Sequence, residues 1–191
     1  TGDAAEGMDW AIDKALEANS DYFVWDADGL GVSLKRQVDN ALTDKKIEYV
    51  MFKGSEGVEE AEKPYTAGGK TKNKTNKETF FNKRAQYWWR LRDRFEATNR
   101  AIKGEYIDPD ELISLSSKIE NIDQLRAEVC RIPLKRNNMG KIQIMSKVDM
   151  AKKPYELPSP NMGDSLMMAM YRPNLVKRQS VKLNYSGWSN A

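Results

Sequence analysis

One short run constrains this chain more than any other. Tyr22-Phe23-Val24-Trp25 is aromatic and β-branched without a polar break, and Asp26-Ala27-Asp28-Gly29-Leu30-Gly31 follows at once. Such a run reads as a strand buried on both faces that ends in a turn. Upstream, Asp3 and Glu6 form an Asp-x-x-Glu variant of the capping box, and Met8, Ile12, Ala15 and Leu16 then share one helical face until Asn19 and Ser20 stop it. Downstream, Leu34, Val38, Ala41 and Leu42 mark a second helix, and residues 47–52 a second strand. An α-β-α-β order predicts parallel strands joined by a right-handed helical crossover, and hence an α/β fold.

The remainder is more varied. Residues 53–77 are dominated by Gly, Lys, Thr and Asn, with almost nothing apolar after Tyr65, and read as a mobile basic loop. A long helix is predicted near residues 78–103, with Phe81, Ala85, Trp88, Leu91 and Phe95 toward the core and Lys83, Tyr87, Arg90 and Arg94 on a separate stripe. Asp108-Pro109 opens a short helix and residues 123–130 form another. A hairpin follows: Ile132 and Leu134, a turn at Asn137-Asn138-Met139-Gly140, then Ile142 and Ile144. Ser159-Pro160 leads into a helix over residues 161–171, and the tail, residues 172–191, is basic and polar with isolated aromatics. No internal repeat is present.

A length of 191 residues suits one domain with a real core and a large insertion. The longest apolar runs, such as residues 166–171, are far too short to span a bilayer, and the amino end does not read as a signal peptide. Cys130 is the one cysteine; it falls in an apolar-periodic segment and reads as a buried structural thiol in a reducing compartment. The absence of histidine excludes Ser-His-Asp and Cys-His catalysis and His-ligated zinc. Carboxylates holding a hard divalent cation are the main enzymatic chemistry left. Charge is uneven: residues 1–66 carry 15 acids against 7 bases, whereas residues 70–103 carry 11 bases against 3 acids. That asymmetry suits a metal site beside a polyanion-binding surface, and equally two solvated faces of opposite sign.

Two carboxylates stand out. Asp26 closes a buried strand and faces a turn, where open α/β sheets place ligands, although Asp26 or Asp28 would also serve as a helix cap. Asp164 lies in the first turns of an otherwise apolar helix, where an acid can be a metal ligand or a dipole partner. The methionines of that helix read as core filler. The glycine turn lacks a third glycine and a suitably spaced acid, and no phosphate loop is present, so a nucleotide-binding domain is a weak alternative.

Four segments, in order, resemble the nuclease domain of tailed-bacteriophage terminase large subunits. They are YFVWDADGLGVSLKRQVDNAL (22–42), NKRAQYWWRLRDRF (82–95), IDQLRAEVCRIPLKRNNMGKIQIMSK (122–147) and SPNMGDSLMMAM (159–170). The resemblance covers residues 3–171; the basic insertion and tail suggest the headful-packaging, podovirus-like type. It implies a nuclease domain over 1–171 with an RNase H-like mixed sheet flanked by helices and a C-terminal hairpin, and a separate tail over 172–191. It also implies a Mg²⁺- or Mn²⁺-dependent endonuclease that cuts double-stranded DNA at a two-metal site during genome packaging. Asp26 and Asp164 match the family's second and third metal-binding acids, and Lys147 the lysine that ends its hairpin. The family's first acid lies on an opening strand expected upstream of this sequence; Asp28 is the residue available to substitute for it. Lys70, Lys72, Lys74, Lys77, Lys83, Arg90, Arg94 and Lys147 are the expected DNA contacts. The implied partners are DNA, the portal protein and the small terminase subunit, in the host cell cytoplasm and away from membranes. A non-catalytic DNA-binding or docking module is the alternative.

Overall fold

A computed structural model describes residues 3–67, 70–135 and 137–171. Helix α1 (Ala4–Glu17) starts at Asp3, whose carboxylate accepts the Ala5 N–H at 3.1 Å. Strand β1 (Tyr22–Asp26) follows, then a 3₁₀ segment (Gly29–Leu34), helix α2 (Lys35–Leu42) and strand β2 (Glu48–Phe52). β1 and β2 pair in parallel, Tyr22 opposite Glu48 through Asp26 opposite Phe52, as the α-β-α-β order predicts. Alternation splits the pair's side chains between two cores. Phe23, Trp25, Tyr49 and Met51 pack with Met8, Ile12, Val38 and Leu42 of the flanking helices. On the other side Val24 and Val50 join Phe52, Leu91, Ile144 and Met167.

The bend after β1 is tight. Trp25 Nε1 donates to the Gly31 carbonyl at 3.0 Å, and a Cβ on Gly31 would lie 1.7 Å from the Asp26 carbonyl oxygen. Only a residue without a side chain lets the backbone close there.

The basic insertion is not a loop throughout. β3 (Pro64–Ala67) and β4 (Lys70–Thr75) pair antiparallel as a second, separate two-stranded sheet. Among the described residues there are thus two small sheets rather than one mixed sheet. Tyr65 holds the hairpin down: its ring meets Phe80 edge-on at 5.1 Å, and its hydroxyl donates to the buried Asp93 carboxylate.

The expected single helix over 78–103 is two. α3 (Asn76–Thr79) is opened by a full capping box between Thr75 and Glu78, and α4 (Lys83–Ile102) is capped by Asn82, whose side chain accepts the Ala85 N–H at 2.9 Å. Between them the Phe81 N–H donates to the Ile142 carbonyl and the Ile142 N–H to the Thr79 carbonyl, which diverts the chain from helical bonding. Phe81 is consequently exposed rather than core-facing. Below it, Phe52, Tyr87 and Tyr171 form a triangle of edge-on rings with centroids 5.3–5.5 Å apart.

Asp108 caps the short turn Pro109–Glu111, accepting the Asp110 N–H at 2.9 Å, as its Asp-Pro pair predicts. Helix α5 (Ile122–Cys130) buries Leu125 and Glu128, and Cys130, at its last position, is exposed, contrary to the buried thiol expected. The hairpin over 132–144 is reduced to one antiparallel bridge, Leu134 to Ile144, flanked by the Lys135 N–H to Gln143 carbonyl and Met145 N–H to Pro133 carbonyl bonds. Pro133 lacks an N–H to extend the ladder. Helices α6 (Lys147–Met150) and α7 (Asn161–Met168) complete the described fold, and the tail over 172–191 lies outside the described residues. No helix among the described residues is long and apolar enough to cross a membrane.

Candidate metal centre

The carboxyl end of β1, the start of α4, the start of α6 and the first turn of α7 converge. Asp26 enters as the last residue of β1, with its side chain 44% exposed. Its Oδ1 accepts the Asp28 N–H at 3.0 Å, which orients the carboxylate over the turn. Asp164 enters from α7, with its side chain only 8% exposed. Its Oδ1 accepts two donors from α4: Trp88 Nε1 at 3.0 Å and Arg84 Nη2 at 3.3 Å. Its Oδ2 is buried and accepts no hydrogen bond.

Lys147 stands between the two acids. Its Nζ lies 3.0 Å from Asp164 Oδ2 and 3.6 Å from Asp26 Oδ2. The approach to Asp164 is an ion pair by distance, but no hydrogen bond meets that oxygen. Oδ2 is thus balanced by charge and not by a directional bond. Asp26 and Asp164, 138 positions apart in sequence, meet in space, since both carboxylates lie within reach of one ammonium.

The supporting shell is tight. Arg84 Nη1 donates to the Met145 carbonyl at 3.0 Å, so one guanidinium ties both Asp164 and the segment that delivers Lys147. Ser146 caps α6 by accepting the Asp149 N–H at 3.0 Å. Glu128 Oε2 accepts the Gly163 N–H at 2.9 Å while Gln124 donates to its Oε1, so a buried carboxylate from α5 anchors the first turn of α7. A Cβ at Gly163 would lie 2.7 Å from Trp88 Cη2; the indole is seated against the glycine beside Asp164. The start of α4 is fastened to the loop after β2: Lys83 and Arg84 N–H donate to the Glu56 and Gly54 carbonyls, both at 2.9 Å. The side chain of Gln86 exchanges two bonds with the Glu59 backbone.

The other expected site residues scatter. Both carboxylate oxygens of Asp28 are taken by the loop after β2: Ser55 Oγ donates to its Oδ1 at 2.7 Å and the Ser55 N–H to its Oδ2 at 3.1 Å. Lys83 is buried, not presented to solvent; its ammonium lies 2.9 Å from Glu56 and 3.7 Å from Glu59, above the Tyr171 ring. Burial pulls the Lys83 pKa down, but the hydrogen bond to Glu56 and the charges of Tyr171, Glu56 and Glu59 together outweigh it, and the net shift is upward. Tyr87, on the same expected stripe, is buried, and its hydroxyl bonds Glu59; burial raises its pKa. Arg90 stacks over Tyr87 and donates to its hydroxyl at 2.8 Å, and Arg94 donates to the Leu112 carbonyl at 2.9 Å. Lys70, Lys72 and Lys74 are exposed along β4, and Lys77 is exposed with Glu62 3.5 Å away.

Arg84 and Glu128 are not among the residues that the sequence singles out for chemistry, and Trp88 reads there as core packing rather than as a partner of Asp164. Trp88 carried a usable signal, since a core tryptophan must find an acceptor for its N–H, and Arg84 precedes it by one helical turn. Glu128 had none beyond being an acid on an apolar helical face. Among the described residues no group of three or more acids or cysteines is placed to hold a metal ion, so the centre rests on two carboxylates.

No protein-family model and no curated protein matches the chain. Among solved structures it is similar to the nuclease domain of the large terminase subunit gp2 of bacterial virus Sf6, at 42% identity and a TM-score of 0.83, over 91% of this chain and 74% of that one. It is also similar to a lysine-to-alanine mutant of that domain with manganese and beta-thujaplicinol, at 42% identity and a TM-score of 0.84, over 91% and 75% of the two chains. A third match, a mutant gp2c of the large terminase subunit from bacteriophage Sf6 with calcium, has 41% identity and a TM-score of 0.82 over 90% and 74%.

Proposed function

The chain belongs to the nuclease domains of bacteriophage terminase large subunits, and on that premise we propose that it hydrolyses double-stranded DNA at divalent cations held by Asp26 and Asp164. The observation that carries this reading is that Asp26 and the buried Asp164 bring carboxylate oxygens to one ammonium, with Asp164 Oδ2 held there by charge and by no directional hydrogen bond. A carboxylate oxygen tied only to a half-exposed ammonium is one that a divalent cation can take over. Two anionic oxygens without nitrogen or sulfur ligands suit a hard cation such as Mg²⁺ or Mn²⁺. The relatives solved with manganese and with calcium support the same choice.

Asp26 and Asp164 would hold the cation, and the large remainder of its shell is left to water and phosphate oxygens. When bound, such a cation supplies an activated water and stabilises the leaving oxygen of a phosphodiester. Lys147 supplies a positive charge at the point where the phosphate must approach two carboxylates. Lys70, Lys72, Lys74 and Lys77 hold the DNA backbone without reading sequence, as cutting at a measured length requires. Lys83, buried on Glu56 and Glu59, drops out of that set, and Arg90 and Arg94 rank below these lysines because each commits a donor to the fold. The wider reading is an RNase H-like domain of a packaging motor acting in the host cytoplasm, with the portal protein and the small terminase subunit as partners of the whole machine.

The experiment is nicking of a supercoiled plasmid by the 191-residue chain with Mn²⁺, Mg²⁺ or chelator. Nicking should require metal and be stronger with Mn²⁺, which tolerates an irregular two-acid site better. Asp26→Asn and Asp164→Asn should each lower it at least about a hundredfold, the upper end of what loss of metal-site support costs. If both substitutions are silent in folded protein, the carboxylates do not hold the metal and a non-catalytic DNA-binding module becomes the better reading.

A further inference from the structure

We infer that Trp88 and Arg84 are positioning residues that restrict Asp164 to single-oxygen coordination, and so make the centre select small octahedral cations over calcium. The inference rests on the metal-centre reading above. Both donors converge on Oδ1, the indole at 3.0 Å and the guanidinium at 3.3 Å, while Oδ2 has no directional hydrogen bond and faces only the half-exposed Lys147 ammonium at 3.0 Å, which a cation can displace. A carboxylate whose one oxygen is occupied by two fixed donors has only the other to offer a cation. The donors are themselves held at a second point. Trp88 is buried and wedged on Gly163, and Arg84 is anchored at its other nitrogen by the Met145 carbonyl. Glu128 prevents the alternative motion, a roll of α7 that would swing both oxygens outward, by holding the Gly163 N–H.

Cation chemistry turns this into selectivity. Calcium accepts six to eight oxygens and takes carboxylates in mono- or bidentate fashion, whereas magnesium needs near-ideal octahedral positions. A bidentate Asp164 would raise the oxygen count in calcium's favour, and the indole N–H removes that option. Freed of the donor, Asp164 regains its second oxygen but loses the constraint that sets the first. Affinity for the small cation then falls by more than affinity for calcium does.

The test measures Mn²⁺ and Ca²⁺ binding to the 191-residue chain by calorimetry, with Mn²⁺ checked by electron paramagnetic resonance. Trp88→Phe removes the N–H and keeps an apolar ring. Trp88 replaced by 3-benzothienylalanine removes only the N–H at nearly constant shape, and covers the case in which phenylalanine packs poorly. Mn²⁺ affinity should fall about tenfold to a hundredfold, the usual cost of losing an outer-shell partner, and Ca²⁺ affinity should fall less or rise. Two outcomes overturn the inference: unchanged affinities for both ions, or an equal loss for both, which is the mark of a merely structural tryptophan. Asp164→Asn is run alongside. If it leaves Mn²⁺ binding intact, the metal-centre reading itself fails; if it abolishes binding while the benzothienyl variant is unaltered, only the positioning role fails.

Discussion

Strands β1 and β2 lie between two apolar clusters, whereas β3 and β4 are a hairpin with lysines along its outer strand and one aromatic, Tyr65, holding it to the body. Both pairs attach to α4, on different stripes. Asp164 of the acid pair is gripped by Arg84 and Trp88, while the hairpin is pinned at Asp93, further along the same helix at about 100° of turn per residue. Under the proposed function, the acid end is over-determined because a metal-holding carboxylate must be set to a fraction of an ångström. The hairpin would then need only to keep positive charge near a polyanion, which does not depend on one geometry.

The contrast can be broken most forcefully at Gly163. In Gly163→Ala the new methyl would sit 2.7 Å from Trp88 Cη2 and push α7 off its seat. The expected cost is about 1–3 kcal/mol in a denaturant melt, as for other overpacked sites. Nicking should fall about a hundredfold, since a shift of about an ångström in a reacting group has that effect. Wild-type nicking in this variant would show that the acid end is not tightly set.

On the hairpin side the effect should be smaller and of another kind. Replacing Lys70, Lys72 and Lys74 with alanine removes as many as three phosphate contacts. The slope of log affinity against log salt should then drop by up to about three, since each contact contributes about 0.9. Thermal stability should stay within about 0.5 kcal/mol, as for exposed positions generally. An unchanged slope would leave the hairpin a solvated projection.

The smallest effect concerns the pin beneath the hairpin. Burial holds the Asp93 pKa above the ordinary carboxyl value, despite the donors from Tyr65 and Arg92. An acid with a raised folded pKa binds more protons in the folded than in the unfolded state. Its contribution is therefore most favourable below the unfolded value and is lost as pH rises through the folded one. Asp93→Asn should flatten that decline in a series of melts from mildly acidic to neutral pH. Its amide oxygen still accepts from Tyr65, and Arg92 keeps Glu96 at 2.6 Å. A steeper decline in the variant would reverse the sign argued here.

Much of the acid end was legible in the residues. The parallel pair, its crossover helix, and the placement of Asp26 at a strand end and Asp164 at a helix start all follow from hydrophobic periodicity and capping, which are strong where one face is buried. The family resemblance then paired the two acids. The hairpin was not legible, because Lys-Thr-Lys-Asn-Lys-Thr alternates between two polar classes and leaves no apolar face for a period of two to reveal. Lys83 was misplaced for a related reason. Its burial depends on Glu56 and Glu59, which arrive from a loop 24–27 residues earlier, and no local pattern announces that meeting. The helix break at Phe81 likewise depends on Ile142, which comes from a distant segment. Cys130 fell on an apolar rhythm but at the last turn of α5, where the helix has run out of neighbours.

The glycine that closes the β1 turn carries a lesson for anyone mapping tolerance by mutational scanning. Gly31 bears no functional group and no charge, yet any side chain there would intrude on the carbonyl of Asp26. In a saturation scan it would be as intolerant as the acids themselves, and a heat map alone would enrol it among them. The two kinds of intolerance separate once protein abundance is scored beside activity. Asparagine at Asp26 would leave a silent protein at normal abundance, whereas any replacement of Gly31 would deplete the protein itself.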